Sequence, residues 1–536
     1  MATLSPPAPL ASAAVVFFGP YGAVSALAAQ RGLSRQALYR EAYAAAQAVT
    51  GAEHHRQLED LRGRLADLQA RLDQAQRRLA AAVLLEEDQQ AEFVATAQAL
   101  GVSFSATHRL LRVVLGAATP SRAALGRCAR AAGRRAGAAL RVLDEFSGGR
   151  AQQIAADEIF AGAKPVLMTL DQDSLCWLGG RLADSRDGAQ WAQEFRRLPA
   201  AVQVTSDRGL GLRKGLKVVN AERTRAGQPT LAEQSDHFHP VRRAYQALGQ
   251  VQRQAEGALA QAEKLQAAYD AAGRQGTPRT PTQGWKLKQA WLRAEAAFDH
   301  WSARERALGR LRAALRLFTP SGELNTPERA EKQVQAALAD MAGPGRDKVA
   351  RGLGPEAFTF LQRTQAQVAA LTAAPVGGAA PRAGGPTAAE LVQAALRVEG
   401  LQRRPEALAG EGPQARVLRG VLLAAGLTLA LAGAAGQQAQ TLVQGVLAGA
   451  WRASSLVEGL NSVLRMHQGR QKRLTQGLLD LKRLYWNMHE FGAGKRKGSS
   501  PYGRLGVALP QGSWWELLKR SPEQLQQELS ALNPPP

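Results

Sequence analysis

The chain has 536 residues and carries 68 lysines and arginines against 45 aspartates and glutamates, a formal net charge of +23 at pH 7. This length exceeds what one hydrophobic core can organise, so we predict three or more domains. The clustered positive charge indicates a polyanionic partner, and two distant cysteines, Cys128 and Cys176, exclude a Cys-based zinc site and a disulfide framework and favour a reducing cytoplasm.

Residues 22–48 have the pattern of two short helices joined by a tight turn. Ser34 is a suitable N-cap for the second helix. The pattern is typical of a helix-turn-helix, whose second helix enters the major groove of DNA, although a helical hairpin without DNA contact has the same pattern. We assign residues 1–50 to DNA binding. Three side chains at the start of the second helix are the predicted contacts: Arg35, Gln36 and Arg40.

A heptad repeat follows, with spacings that alternate between three and four residues. Its members are Leu58, Leu61, Leu65, Leu68, Leu72, Ala75 and Leu79. The repeat predicts a coiled coil, either between two copies of the chain or within one chain as a helical hairpin. A second helix-turn-helix pattern at residues 90–115 carries Arg109 as a predicted DNA contact. Both segments are assigned to residues 51–148.

From residue 149 the pattern changes to short apolar runs separated by tight turns. Three runs predict an antiparallel meander over residues 152–182, and a helix then leads into a fourth run that ends at Asp207. The order β-β-β-α-β predicts that the fourth strand lies beside the first and parallel to it, as in an RNase H-like core. Asp157 on the first strand and Asp207 would then be neighbours. The first part of this core is expected over residues 149–240.

The chain between residues 241 and 440 is charged and rich in alanine, which predicts a helical insertion. A Pro/Gly/Ala segment at residues 373–387 is expected to be a linker. The most apolar stretch, residues 421–435, is about 15 residues long, shorter than the roughly 20 that a spanning helix needs, so we expect a buried helix. No basic segment precedes the first apolar stretch, so we expect no signal peptide and predict a cytoplasmic protein without a membrane partner.

The second part of the core, with a basic DNA-binding segment, is expected over residues 441–510, and a C-terminal tail over residues 511–536. A helix in this part carries Glu458. The predicted fold is therefore α+β and mostly helical. An RNase H-like mixed-sheet core is split by an α-helical insertion and preceded by helix-turn-helix and coiled-coil segments.

Three carboxylates on three different elements are the candidate catalytic residues: Asp157, Asp207 and Glu458. Hard divalent cations prefer oxygen ligands, and a pair of them can hold the attacking and leaving oxygens of an in-line displacement at a phosphodiester. Asp171 and Asp173 compete for the first position, although both lie in a turn, where aspartate is favoured for its geometry. Glu158 faces the opposite side of its strand and is not expected to be a ligand.

Several segments resemble the motifs of bacterial insertion-sequence transposases of the DDE type. They are ADEIF at 156–160 with KPVL at 164–167, TSDRGLGL at 205–212, DHFH at 236–239, WRASSLVEGLNSVLR at 451–465, YWNMHEF at 485–491 and GKRKGSSP at 494–501. The resemblance runs from about residue 150 to 510, and the motifs follow the order of the family. The N-terminal third matches only in kind, as helix-turn-helix units that precede the core.

The resemblance implies that the three carboxylates bind two Mg²⁺ or Mn²⁺ ions per site. It implies DNA strand cleavage with water as the nucleophile, followed by attack of the freed 3′-hydroxyl on target DNA. Double-stranded DNA, as element ends and as target, would be the partner, and pairing of the ends implies a homo-oligomer on DNA. The alternatives are a catalytically inactive or repurposed DNA-binding protein and another RNase H-like nuclease.

The helix of Glu458 and the basic segment after it carry further predicted DNA contacts. These are Arg452, Asn461, Arg465, Arg470, Lys472, Arg473, Lys495, Arg496 and Lys497. For Asn461 the alternative is that it orients a metal-bound water or a carboxylate. Lys482 and Arg483 lie in the same basic segment. His237 and His239 are candidates for lining the site, with a structural role as the alternative. Arg208 follows the second carboxylate directly and is expected either to crowd the metals or to contact DNA.

Overall fold

A computed structural model describes residues 8–81, 85–341, 343, 345–373, 385–470 and 474–534. The chain divides into two compact units, Met1–Leu85 and Glu86–Pro536. It is mostly helical and has one mixed sheet of five strands, which confirms the predicted α+β class.

The first unit consists of helices α1 (Ala8–Phe18), α2 (Ala23–Arg31) and α3 (Arg35–Ala81). The chain turns between α2 and α3 at Gly32, whose φ of 65° is a left-handed conformation that glycine adopts without strain. Ser34 caps α3 by accepting a hydrogen bond from the backbone N–H of Ala37 at 3.1 Å. The three predicted DNA contacts are exposed at the start of α3: Arg35, Gln36 and Arg40.

Helix α3 continues for 47 residues, so the second helix of the helix-turn-helix and the heptad repeat form a single element. The boundary predicted at residue 50 falls inside this helix. Four leucines of the repeat are between 57 and 66% exposed: Leu61, Leu65, Leu68 and Leu72. The described residues therefore do not form the helical hairpin that was one of the two predicted alternatives. We call these four leucines the heptad seam.

The second unit begins with α4 (Glu87–Ala99), α5 (Phe104–Leu115), a 3₁₀ turn (Gly116–Ala118) and the long α6 (Arg122–Gly148). Gly101 has a φ of 79° and makes the turn between α4 and α5, and the Ser103 side chain accepts from the N–H of Ala106 at 3.2 Å. This is the second predicted pair of helices, and Arg109 is exposed on α5.

The sheet consists of β1 (Gln153–Ala161), β2 (Lys164–Asp171), β3 (Trp177–Leu182), β4 (Gln203–Ser206) and β5 (Ala232–Ser235), with α7 (Gly188–Arg196) before β4 and α8 (Leu210–Arg225) after it. Its order is β3-β2-β1-β4-β5. The β1–β2 and β2–β3 pairs are antiparallel, whereas β4 is parallel to both β1 and β5. The predicted parallel pairing of the first and fourth strands is therefore present, with Ala155 opposite Thr205.

The described residues between 238 and 448 form helices, and we call this part the helical region. Its elements are α9 (Phe238–Arg274), α10 (Pro281–Ala314), α11 (Pro327–Asp340), α12 (Arg346–Gly352), a 3₁₀ turn (Pro355–Phe358), α13 (Thr359–Ala373), α14 (Ala388–Gln402), α15 (Pro405–Leu408), α16 (Pro413–Leu431) and α17 (Ala434–Ala448). Most of the predicted linker, residues 374–384, lies outside the described residues.

The apolar stretch at residues 421–435 does not form the buried helix that we predicted. It is divided between α16 and α17, and only 22% of the apolar window of α16 is buried. Ala425 and Leu429 pack into a hydrophobic cluster, while Leu427 and Leu431 are exposed. With 19 residues and a mean hydropathy of 1.4, α16 is long and apolar enough to cross a membrane by length and composition alone.

The chain ends with α18 (Ser455–Arg470), α19 (Gln476–Met488), a 3₁₀ turn (Gly494–Arg496), α20 (Pro501–Arg504), α21 (Trp514–Lys519) and α22 (Pro522–Leu532). The predicted C-terminal tail, residues 511–536, is therefore folded over most of its length. Trp515 and Leu525 are buried in the same hydrophobic core as Leu140 of α6 and Ile154 of β1. These apolar side chains at helical spacing hold the last two helices against α6.

Candidate active site

Asp157 lies in the middle of β1, on the face of the sheet that α18 covers. Successive side chains of a strand point to opposite faces, and Ile154 and Ala156 lie in the core on one side. Ala155 and Ile159 lie on the other side, in a cluster that also contains Val457, Leu460 and Leu464 of α18. Asp157 therefore emerges beneath the helix that carries the third predicted carboxylate.

Asn461 of α18 contacts Asp157 directly. Its side-chain Nδ2 donates a hydrogen bond of 2.7 Å to Oδ2 of Asp157, while the backbone N–H of Glu158 donates to Oδ1 at 2.8 Å. Asn461 is fully buried, so its assignment as a DNA contact is wrong. Its position fits an orienting role, because it holds one oxygen of the carboxylate in a defined direction.

Asp207 follows the end of β4 and is exposed. Its Oδ1 accepts a hydrogen bond from the backbone N–H of Gly209 at 2.9 Å. Because Ala155 pairs with Thr205, continuation of the two parallel strands in the same register places Asp157 beside Asp207. The predicted pair of strand carboxylates is therefore brought together.

Glu458, in the first turn of α18, lies close to two basic side chains. Its Oε1 lies 3.3 Å from Nε2 of His239, and its Oε2 lies 3.5 Å from the guanidinium of Arg465. The other ring nitrogen of His239, Nδ1, lies 2.6 Å from Oδ2 of Asp236. His239 therefore bridges a buried carboxylate and the candidate catalytic one, which agrees with its predicted place at the site.

Asp236 is a site residue that our sequence interpretation did not assign, although the DHFH motif contains it. Its Oδ1 accepts hydrogen bonds from the backbone N–H groups of Ser454 (2.7 Å) and Phe238 (3.0 Å), and its Oδ2 accepts from the N–H of His239 at 3.0 Å. Burial alone would raise the pKa of Asp236, but these bonds and the His239 ring together hold it below its usual value. Asp236 thus connects the end of β5 to the start of α18.

The segment before α18 is tied to the sheet by two further buried side chains. Gln172 donates to the carbonyl of Ala453 at 2.8 Å, and Gln203 donates to the carbonyl of Trp451 at 3.0 Å. Buried polar groups that are fully paired restrict the backbone to one arrangement. These contacts fix where α18 begins and therefore where Glu458 lies.

Asp157 is affected electrostatically by the other two carboxylates. Burial raises the pKa of Asp157 to about 7, and the negative charges of Glu458 and Asp207 act in the same direction. Cations at this place would relieve that repulsion, so the donor chemistry fits divalent metal ions. Oδ1 of Asn461 is also buried without a hydrogen-bond partner among the described residues. Over these same residues, no three or more His, Cys, Asp and Glu side chains are close enough together to form a metal-binding group.

The competing carboxylates lie elsewhere. Asp171 pairs with Ile154 at the start of β1, three residues before Asp157, and accepts hydrogen bonds from the Ser174 hydroxyl (2.6 Å) and N–H (2.9 Å). It holds a turn, as aspartate at such positions commonly does. Glu158 is ion-paired with Arg186 at 2.8 Å.

His237 does not reach the carboxylates. Its Nε2 lies 2.7 Å from the carbonyl oxygen of Ala357, and its ring packs edge-on against Phe360. Burial lowers the pKa of His237 to about 4, so the ring is neutral and donates to that carbonyl. Of the two alternatives, the structural role is the one that the contacts support.

Several predicted DNA contacts have other partners. Arg452 is largely withdrawn from solvent and donates to the carbonyl of Leu315. Lys482 and Arg483 are buried: the lysine donates to the carbonyl of Ala99 at 2.7 Å, and the arginine forms an ion pair with Asp144 at 2.5 Å. The basic segment is thus partly internal, and those two residues are not part of a DNA-binding surface.

The remaining cations of this segment divide into two groups. Arg465 and Lys497 are exposed, and Arg496 donates to the carbonyl of Asp173 at 3.4 Å. Four other predicted contacts cannot be placed: Lys472 and Arg473 lie outside the described residues, and so do the side chains of Arg470 and Lys495.

Arg208 adopts a φ of 65°, which is unfavourable for a residue with a side chain. Its guanidinium lies 2.8 Å from Glu356 of the helical region and 3.4 Å from Glu233 of β5. Through these two ion pairs, Arg208 connects the sheet to the helical region.

Comparisons with protein-family models, with curated proteins and with solved structures gave no match to this chain.

Proposed function

We propose that the protein is a metal-dependent DNA transposase, in which Asp157, Asp207 and Glu458 hold two Mg²⁺ or Mn²⁺ ions. The observation that carries this proposal is that a strand-end carboxylate, Asp207, and a helix carboxylate, Glu458, are both near enough to Asp157 on β1 for their charges to raise its pKa. The 2.7 Å hydrogen bond between Asn461 and Asp157 joins parts of the chain that are 304 residues apart. Carboxylates that repel one another in a partly buried site are expected where cations are to be bound.

The strand order supports an RNase H-like core as the fold of this site. Three antiparallel strands are followed by a helix and by a strand parallel to the first, giving β3-β2-β1-β4-β5. In this interpretation the helical region, between β5 and α18, is the insertion that splits the core. After the helical region the chain comes back to the sheet at α18. The segment just before α18 is held there by hydrogen bonds from Gln172 and Gln203.

Bound metal ions would supply Lewis-acid activation of a water or 3′-hydroxyl nucleophile and neutralise charge on the phosphodiester. The chain's own residues orient the ligands. Asn461 directs one oxygen of Asp157, and Asp236 and His239 restrain Glu458. Arg465, at 3.5 Å from Glu458, is suited to hold a non-bridging phosphate oxygen of the DNA.

Transposition requires two element ends to be held together, and α3 is the element that we assign to this task. Its first residues expose Arg35, Gln36 and Arg40, which we propose contact DNA. The heptad seam farther along the same helix would pair with the seam of a second copy. One continuous helix would then connect recognition of an end with dimerisation.

The test is cleavage and strand transfer on DNA that carries the ends of the element flanking the coding sequence, with Mg²⁺ or Mn²⁺. Asp157→Asn, Asp207→Asn and Glu458→Gln are each expected to lower both rates by about three orders of magnitude while DNA binding is retained. Asp173→Asn, an exposed turn carboxylate, is the matched control and should retain activity. A wild-type protein that binds these ends and never cuts them would contradict the proposal and favour a silent DNA-binding protein. Cleavage without joining would favour another RNase H-like nuclease.

A further inference from the structure

A cleft of about 590 Å³ opens beside Asp207, and its walls are strongly basic. One wall consists of Asp207, Arg208 and Arg213, next to the sheet. The other wall comes from the helical region and consists of Arg243, Lys348, Arg351 and Gly352. We call this feature the basic cleft. Of its five cations, only Arg208 was considered as a DNA contact from the sequence, as one of two alternatives.

Packing of the helical region directs these cations outward. Val349 of α12 and Ala244 of α9 are buried in one hydrophobic cluster. At Gly352, an added Cβ would lie only 2.4 Å from the Pro240 ring, so α12 sits close against the start of α9. Residues adjacent to these buried positions consequently face the cleft, and three cations there are exposed: Arg243, Lys348 and Arg351.

The charge of the cleft is only partly neutralised. Glu233 lies 3.4 Å from Arg208 and 3.5 Å from Arg213, and Glu356 pairs with Arg208 at 2.8 Å. Over the described residues, the three cations of the opposite wall form no ion pair with a carboxylate. Arg351 donates only to the backbone carbonyl of Asp347, at 3.3 Å. Three uncompensated cations that face one groove are a site for a polyanion.

We infer that the basic cleft holds the phosphate backbone of the DNA that extends from the scissile phosphodiester, so the helical region supplies one wall of the substrate path. This inference rests on the proposed function, because Asp207 belongs both to the carboxylate site and to the cleft. A strand whose phosphodiester lies at the carboxylates has its neighbouring phosphates within reach of the cleft. Arg208 and its two carboxylate partners hold the walls together.

The experiment compares Arg243→Ala/Lys348→Ala/Arg351→Ala with a triple variant of equal net charge, Lys286→Ala/Lys288→Ala/Arg293→Ala, whose residues are exposed on α10. The probe is a mixed-sequence DNA duplex, and the dissociation constant is measured over a range of salt concentrations. In a plot of the logarithm of the binding constant against the logarithm of the salt concentration, each phosphate contact contributes about 0.9 to the steepness of the slope. The slope should therefore become shallower by roughly 2 to 3 units in the cleft variant and by close to none in the control. Affinity near physiological salt should fall about 10- to 100-fold for the cleft variant only.

An equal loss of affinity and of slope in both triple variants would overturn the inference, because the net positive charge of the protein rather than the cleft would then account for DNA binding. Tighter, cleft-dependent binding of a duplex RNA of the same sequence would overturn the choice of DNA. DNA binding by Asp157→Asn separates this inference from the proposed function. That variant should lose cleavage but keep the full salt dependence of binding, because Asp157 does not line the cleft. If the wild-type protein never cuts DNA but the cleft variant still loses salt-dependence slope, the result supports DNA binding in the cleft and contradicts the transposase function.

Discussion

Asp236 and His239 form the polar support of the candidate active site. Asp236 raises the pKa of His239, chiefly through the 2.6 Å hydrogen bond, and the charges of Asp157 and Glu458 contribute in the same direction. The His239 ring lies between the carboxylates of Asp236 and Glu458, and both favour its protonated form. A support of this kind orients a ligand without touching the reacting atoms, as the partners of metal-binding residues commonly do.

We predict that Asp236→Asn lowers the pKa of His239 and reduces cleavage about 10- to 100-fold. The folded-state pKa of His239 is raised, so its contribution to stability is complete below the unfolded value of 6.5 and is lost as pH rises through the folded value. The variant should lose this pH-dependent stabilisation. NMR titration of the His239 ring measures the pKa, and denaturant unfolding at several pH values measures the free energy of unfolding. His237→Gln is the control, since it removes a buried histidine without changing the His239 titration, and an unchanged His239 pKa in Asp236→Asn would contradict the assignment.

Lys482 is a buried lysine whose only hydrogen bond over the described residues is to the Ala99 carbonyl, and burial lowers its pKa from 10.5 to about 7. The unfolded chain binds the Lys482 proton more tightly than the folded chain. Burial of the charge therefore lowers the free energy of unfolding by its full amount below pH 7, and by progressively less as pH rises to about 10.5. We predict that Lys482→Met raises the free energy of unfolding by about 1–3 kcal/mol at pH 6 and by less at pH 10. Denaturant unfolding at both pH values measures the difference. Lys332→Met, on an exposed position of α11, should change neither value, and a pH-independent effect of Lys482→Met would be inconsistent with a buried charge.

Residues whose role depends on local spacing were predictable from the sequence. Alternation along β1 separates Asp157 from Glu158, and turn geometry separates Asp171 from both. Asp236 was missed as a site residue because its role depends on hydrogen bonds with Ser454, 218 residues away. Lys482 was misread as surface because nothing in its own helix identifies its distant partner, the Ala99 carbonyl.

At the scale of elements, α18 packs apolar side chains against the sheet and also places a polar side chain at Asp157. Val457, Leu460 and Leu464 pack against the sheet, and this apolar spacing could be identified from the sequence. Asn461 lies on the same helix and is fully buried at Asp157. The sequence left two roles open for Asn461, a DNA contact and the orientation of a carboxylate or metal-bound water, and its hydrogen bond to Asp157 favours the second.

Helix α3 presents apolar side chains that its own unit does not cover, and we predict that the heptad seam is an interface between copies. Leu65→Asp/Leu72→Asp should convert an associated protein to a monomer and abolish pairing of two DNA ends while single-end binding remains, because two charges cannot be buried in the seam. Light scattering and a two-end bridging assay are the measurements. Ala66→Asp/Ala70→Asp, on the outer face of the helix, is the matched control. Unchanged association of the leucine variant would contradict this assignment.

At the scale of the whole molecule, binding of divalent cations to the folded state should stabilise the second unit. A ligand at about 100 times its dissociation constant contributes about 2.7 kcal/mol, so Mn²⁺ should raise the Tm of the wild-type protein. Asp157→Asn and Glu458→Gln should lose most of this increase, whereas Asp173→Asn should retain it. Thermal unfolding with and without Mn²⁺ is the measurement, and equal increases in all four proteins would show that the metal binds elsewhere.

The helical class, the strand order and the parallel pairing of β1 with β4 could be predicted because each follows from local periodicity and from short connections. The burial of α16 and the packing of α21 and α22 could not. An apolar or amphipathic helix can be covered by many surfaces, and which one covers it depends on contacts across the sequence. The same reason explains why the basic cleft was missed: its lining residues come from three separate parts of the chain between Asp207 and Gly352.

The wide separation of Asp157 and Glu458 along the chain has a consequence for biosynthesis. A ribosome translates β1 roughly 300 codons before it translates the helix that completes the site, at about 5–20 residues per second. A nascent or prematurely terminated chain carries α1 to α3 long before it carries three carboxylates. Under the proposed function, such truncated products would occupy DNA ends, or pair with full-length copies, without cutting. The proposal thus implies that premature termination yields inhibitors of the full-length protein from the same message.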